Sequence, residues 1–203
     1  MHLLQTVHRT RVHSRRVDVL VRRLSRLIER SSTVLDVGCG DGLLAQSLTR
    51  QVPGITVEGV DVLVRDDAAI PVRQFDGDVI PFADNSFDVV MLVDVLHHTV
   101  DPLRLLKEAA RVSRGAVVIK DHLREGWLAT PTLRFMDWVG NAAYGVHLPY
   151  NYLTRAQWDA AFFDAGLGID HWEVDLRLYP RPADYVFGRG LHFMTRLVPR
   201  CDR

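Results

Sequence analysis

The sequence predicts a doubly wound α/β domain built on a mostly parallel sheet. Three observations predict it. Short apolar runs alternate with segments of helical spacing, a glycine-rich turn follows the first apolar run, and carboxylates stand at the ends of successive runs. Parallel strands need crossover helices, so this alternation means a sheet covered on both faces. A chain of 203 residues suits one domain. About 70% of its unfolded surface can be buried at that size, so the core needs no metal or disulfide staple.

The chain opens with a basic stretch: eight arginines against Asp18 and Glu29 in the first 30 residues. Val17, Leu20, Val21, Leu24, Leu27 and Ile28 recur at helical spacing, which predicts an N-terminal helix over 1–30 packed on the domain. A transit peptide is the competing reading of an Arg-rich, acid-poor start. Thr33 to Val37 reads as the first buried strand, closed by Gly38, Gly40 and Gly42, and Leu43, Leu44 and Leu48 continue as a helix. Ile55 to Val60 is a second strand ending at Asp61, and Pro71 to Phe75 a short third. Phe87 to Val93, bounded by the turn Asp84-Asn85-Ser86, has the character of a central parallel strand.

Pro102 to Val112 follows as a helix with Leu103, Leu106 and Ala110 on one face, and Ala116 to Ile119 as the fifth strand. Residues 122–152 break the rhythm and mix Trp127, Phe135, Trp138, Tyr144 and Tyr150 with polar residues. They are expected to form an acceptor-binding lid in which Arg134, Asp137, Trp138 and Asn141 share one helical face. Thr154 and Gln157 match a capping box, with Leu153 and Trp158 as its hydrophobic staple. Ile169 to Leu178 and Leu191 to Val198 complete seven strands.

Composition excludes several classes. Apolar residues at 47% and charged residues at 25% argue against disorder, collagen-like repeats and coiled coil. Basic and acidic residues balance at 25 each, so no global charge points to nucleic acid or a membrane surface. Cys39 and Cys201 are the two cysteines and build no disulfide framework, which fits a reducing cytoplasm. No apolar run approaches the roughly 20 residues of a membrane span, and no secretory signal is visible.

The informative segment is Val34-Leu35-Asp36-Val37-Gly38-Cys39-Gly40-Asp41-Gly42. Glycines after a first strand let the backbone approach a ligand where any Cβ would collide. Leu43 stands where a dinucleotide fingerprint wants its third glycine, and the absence of a following Gly-Lys-Ser/Thr excludes a P-loop. Asp36, Asp61 and Asp76 each have a task if the ligand is a cationic nucleoside. Asp61 can accept both ribose hydroxyls, Asp76 can take the exocyclic amine of adenine, and Asp36 adds negative potential near an ammonium or sulfonium. Such a ring of acids repels a pyrophosphate. The structural alternative is that Asp61 and Asp76 cap turns.

These residues, with Asp76-Gly77-Asp78 to Phe87-Asp88-Val89-Val90, Leu96-His97-His98 and Glu108-Ala109-Ala110-Arg111-Val112, resemble class I S-adenosylmethionine (SAM)-dependent methyltransferases. The nearest branch is similar to ubiquinone and menaquinone biosynthesis methyltransferases, and the resemblance covers about residues 30 to 120. It implies a Rossmann-like sheet whose last strand is antiparallel. It implies SAM as cofactor, with Gly38 and Gly40 along its methionine part, Asp36 near the amino group and Asp61 on the ribose. Val62 and Leu63 would flank the adenine, Asp76 and Gly77 read its edge, and Val93 and Asp94 border the transferred methyl. In place of the family's Pro-Gly-Gly before strand five stands Ser113-Arg114-Gly115.

Methyl transfer needs alignment and exclusion of water more than it needs a base. His98, Asp121 and His122 lie at carboxyl ends of strands and are the catalytic candidates, with His98 also readable as a helix cap or a residue orienting the cofactor loop, and His97 as a packing residue. No metal is expected, because an adjacent histidine pair rarely aims both rings at one ion. The expected partner is a small-molecule methyl acceptor, with no nucleic acid and no integral membrane segment, and a homodimer stays in view as the oligomeric state. A SAM-binding partner or sensor without catalysis and a nucleotide-dependent oxidoreductase are the rival functions.

Overall fold

The computed structural model describes residues 15–141 and 149–200. Tyr144 of the expected lid and Cys201 lie outside the described residues. Seven strands form one sheet in the order β3-β2-β1-β4-β5-β7-β6. Strands β1 (Thr33–Val37), β2 (Thr56–Asp61), β3 (Val72–Gln74), β4 (Phe87–Val93) and β5 (Ser113–His122) run parallel. β7 (His192–Pro199) runs antiparallel to both β5 and β6 (Leu167–Val174). The chain winds outward from β1 to β3 and then returns to β4 on the other side of β1. That reversal opens a crevice at the carboxyl ends of β1 and β4, where open α/β sheets bind ligands.

Both faces of the sheet are covered, and the central strands are buried on both sides, as parallel strands between helices must be. Val34, Val89, Met91, Val118 and Met194 pack under helix α1 (residues 15–24) and α2 (Leu43–Gln51). Leu35, Val90, Leu92, Val117 and Ile119 point the opposite way, toward α3 (Pro102–Val112) and α5 (Arg155–Asp164). On α1 the buried residues are Val19, Leu20, Val21 and Leu24. The Thr154 capping box at the start of α5 forms in both directions, and Trp158 is buried beneath it.

Three elements differ from the sequence expectation. The inward face of α3 is Leu105, Leu106, Ala109 and Val112 rather than Leu103, Leu106 and Ala110. Arg111 reaches Glu108, Asp84 and the carbonyls of Ile80 and Phe82. β6 stops at Val174 instead of reaching Leu178, because Asp175 and Arg177 adopt positive φ (59° and 52°), while Leu176 and Leu178 still pack into the core beneath α1. β5 is longer at both ends and carries Lys120, Asp121 and His122 inside the strand, paired across to Met194, Phe193 and His192 of β7.

Between β5 and α5 lies α4 (Ala129–Asn141), and a short α6 (Asp184–Phe187) precedes β7. Arg134, Asp137 and Trp138 do not share an environment: Asp137 is buried, whereas Arg134 and Trp138 are exposed. Among the described residues no helix is long and apolar enough to cross a membrane.

Candidate active site

The glycine turn joins β1 to α2. Gly38 sits at φ 71°, and a Cβ there would stand 2.6 Å from a methyl of Val95, so the position admits glycine alone. β2 closes the turn from the side: Asp61 Oδ2 accepts the Gly40 N–H at 2.8 Å and Oδ1 accepts the Leu63 N–H at 2.9 Å. Val62 and Leu63 are exposed just beyond, and Gly77 lies against Val62. Asp76 folds onto its own loop, where Oδ1 accepts the N–H groups of Val79 and Asp78 at 2.8 Å each. Those bonds hold its carboxyl below the usual carboxylate range.

Next to the turn is an open cleft of about 160 Å³, bordered by Asp36, Gly38, Val93 and Asp94 and roofed by Arg16 of α1. Burial, with Asp61 nearby, pushes the Asp36 carboxyl well above its ordinary pKa. Burial beside the same two acids pushes the Cys39 thiol up to about 12, so this cysteine is inert as a nucleophile. Arg16 is the one cation among the described residues that line the cleft, and its Nε is buried without a hydrogen-bond partner.

Asp94, at φ 59°, ends β4 and is fixed from three sides. Its N–H donates to the Lys120 carbonyl at 2.7 Å, and its carboxylate pairs with both Arg16 and Lys120. Burial opposes the Asp94 charge, but Lys120 and Arg16 outweigh it and hold the carboxyl well below its ordinary value. Lys120 is fully buried, which pulls its own pKa down. Its ammonium donates to His192 Nδ1 at 3.3 Å, and His192 in turn donates from Nε2 to the Phe187 carbonyl at 3.0 Å.

A second cluster centres on His97, on the single turn of 3₁₀ helix Leu96–His98 after β4. His97 Nδ1 donates to Asp121 Oδ1 at 2.6 Å. The backbone N–H of Leu96 donates to Asp121 Oδ2 at 3.0 Å, and that of His122 to Oδ1 at 2.6 Å. His122 Nδ1 lies 3.2 Å from His97 Nδ1 and 3.4 Å from Asp121 Oδ1. On the other side of the His97 ring, Nε2 stands 3.6 Å from Asp137 Oδ2, an oxygen that also accepts the Tyr152 hydroxyl.

Burial works against charge on His97, yet Asp121, helped by Asp137, pushes its pKa up to about 10. Burial and the charge of His97 drive His98 down to about 4, and the same two causes lower His122.

The structure thus groups the predicted residues in two places. Asp36, Gly38, Val93 and Asp94 line the cleft, with Gly40, Asp61, Val62 and Leu63 beside it. His98, Asp121 and His122 surround His97. Arg16, His97, Lys120, Asp137, Tyr152 and His192 join these groups without having been singled out for such roles. The available signal was Lys120-Asp121-His122 continuing an apolar strand with no intervening turn residue. A sheet-central Lys must have a partner, and Asp94 at the end of the neighbouring strand supplies it.

Comparison with known proteins agrees with this architecture. Residues 8–171 match the methyltransferase domain family. An uncharacterized methyltransferase of Mycobacterium sp. (strain KMS) is 40% identical over 89 residues, which is 40% of this chain and 34% of that protein. The mitochondrial ubiquinone biosynthesis O-methyltransferase of Candida albicans is 29% identical over 150 residues, 64% of this chain and 42% of that protein. The chain therefore spans well under two thirds of these relatives. A chain of the complex between the Haloferax volcanii Trm112 methyltransferase activator and a methyltransferase superposes with a TM-score of 0.70 at 20% identity, covering 96% of this chain and 94% of its own. A SAM-dependent methyltransferase from Mesorhizobium loti superposes at 0.67 and 19% identity, covering 90% and 99%. With its strand order, its glycine turn and this match over most of its length, the chain belongs to the methyltransferase domain family and has the fold of SAM-dependent methyltransferases.

Proposed function

We propose that the chain transfers a methyl group from SAM to a small organic acceptor. The observation that carries this reading is the cleft at the β1/β4 switch point, where acids surround a bare glycine turn and one arginine stands opposite them. SAM, when bound, supplies a methyl already activated by its sulfonium. Asp36 would meet the ammonium of its methionine end, and Arg16 the carboxylate that the acids would otherwise repel. The backbone at Gly38 and Gly40 would run along the methionine part, and Asp61 would accept from the ribose hydroxyls. Val62 and Leu63 would cover the adenine, with Asp76 and Gly77 at its edge. Val93 and Asp94 would border the transferred methyl.

The His97 cluster lies past the carboxyl ends of β4 and β5, on the side from which an acceptor would approach. There His122 is the candidate base and Asp121 the group that orients it through His97. The ubiquinone relative's name supports a small acceptor methylated on oxygen. The experiment is a calorimetric titration of the purified chain with SAM and with NADH, followed by turnover with small hydroxylated acceptors. Tight NADH binding without SAM binding would overturn the reading. His122→Ala should lower turnover at least tenfold while leaving SAM affinity within a factor of two; full turnover in the variant removes His122 from the mechanism.

A further inference from the structure

Among the described residues, two buried nitrogen atoms of the His97 cluster make no hydrogen bond: His97 Nε2, which faces Asp137 Oδ2 at 3.6 Å, and His98 Nδ1. Buried polar atoms are almost always satisfied, so two such atoms on adjacent residues call for an explanation. A carboxylate faces them. One donor atom from each of His97, His98 and Asp137 lies within 4.8 Å of the other two, and His97 Nε2 stands 3.6 Å from Asp137 Oδ2. Ligands about 2.1 Å from a tetrahedral ion are about 3.4 Å apart, so the His97–Asp137 separation needs little adjustment.

The surroundings favour this side of the His97 ring. Nδ1 is committed to Asp121 at 2.6 Å, and Asp121 is itself held by the N–H groups of Leu96 and His122. A carboxylate that fixes Nδ1–H leaves the lone pair of a neutral ring on Nε2, and this is the support that metal-ligating histidines usually receive. Asp137 is held in turn by Tyr152. The alternative group of His97, Asp121 and His122 also brings three donors together, but its short contacts are hydrogen bonds already made. The sequence argument against a metal assumed that neighbouring histidines splay apart. Here the 3₁₀ turn brings the two rings to 3.9 Å between centroids at 45°.

We propose that His97, His98 and Asp137 bind one divalent transition-metal ion of the zinc class. Two imidazoles and one carboxylate form a ligand set that suits zinc or ferrous iron and disfavours magnesium and calcium, which prefer oxygen donors. Three protein ligands leave a coordination position for an oxygen of water or of an acceptor. A metal takes only an unprotonated ring nitrogen, so any proton on the ligating nitrogens leaves as the ion enters. The ion site is independent of SAM, and SAM titration of the same preparation separates failure of this inference from failure of the methyltransferase reading.

The test uses the full chain, stripped with chelator and titrated with Zn²⁺ and with Co²⁺. One ion per chain, proton release revealed by buffers of different ionisation enthalpy, and visible absorption of bound Co²⁺ are the expected results. His98→Ala removes a ring nitrogen that makes no hydrogen bond, so the variant should fold; it and Asp137→Asn should each weaken binding at least tenfold and change the cobalt spectrum. Thermal unfolding of both variants reports on their folding, and His171→Ala, at an exposed histidine far along β6, serves as a control. Absence of binding to the wild-type chain, or binding unaffected by His98→Ala, overturns the proposal.

Discussion

At the scale of single residues, one carboxylate organises the floor of the cleft. Asp94 is shared by a helix cation, Arg16, and a strand cation, Lys120. Removing one partner of a buried ion group costs far more than the group adds to stability, because the remaining charges stay desolvated. Lys120→Met should therefore destabilise the chain by about 3 kcal/mol, read as a lower urea midpoint at unchanged slope. A midpoint equal to wild type would mean that Arg16 alone satisfies Asp94. Arg16→Met should behave differently: SAM affinity falls about tenfold, or ~1.4 kcal/mol, whereas decarboxylated SAM, which lacks the anionic group, binds both proteins alike. Equal loss for the two ligands would place Arg16 away from the carboxylate. Asp36, Gly38 and Asp61 were legible because their motif is contiguous or ends a strand. Arg16 was hidden in a run of arginines, and nothing local distinguishes the one that lines the cleft.

At the scale of elements, caps and pleats were legible and polar strand ends were not. The Thr154 box is a local signal, with both reciprocal hydrogen bonds made between residues three apart. Thr154→Ala should cost about 1 kcal/mol and leave SAM affinity unchanged, since α5 packs on the sheet face away from the glycine turn; chemical denaturation and calorimetry check the two halves of that statement. β5 was expected to end at Ile119 because Lys, Asp and His look like loop residues. It continues because β7 pairs with all three positions, a partner 70 or more residues away in sequence. α4 posed the reverse problem. Helical spacing placed Arg134, Asp137, Trp138 and Asn141 on one face, but among the described side chains of α4 the buried ones are Ala129, Leu133 and Asp137, while Trp138 is 59% exposed. A buried carboxylate whose partners include His97 and Tyr152 cannot be read from helix periodicity.

At the scale of the whole molecule, doubly wound topology followed from alternation alone, whereas the contacts that tie its strands together at their amino ends did not. Asp88 at the start of β4 accepts from the Thr33 N–H and hydroxyl of β1 at 2.8 Å each, and from Arg114 of β5 at 2.7 Å. Arg114, then Thr33, hold its carboxyl well below the usual range. A carboxylate depressed in the folded state stabilises above its unfolded pKa of about 4 and loses that contribution as pH falls through its folded value. Asp88→Asn should cost about 1 kcal/mol at pH 7, a modest figure because the side chain is partly exposed. The gap between variant and wild type should stay constant above about pH 5 and narrow below about pH 4. A gap that shows no narrowing as the pH falls from about 4 toward 2 would show that the anion is not what the three strands share.

The packing of α1 also sets an order of events during synthesis. Its apolar stripe rests on Met91, Val118, Leu176 and Met194, which come from the middle and the far end of the chain. During synthesis that stripe leaves the ribosome before β7 and cannot be fully covered until β7 has emerged, so α1 is made ahead of the sheet it covers and docks late.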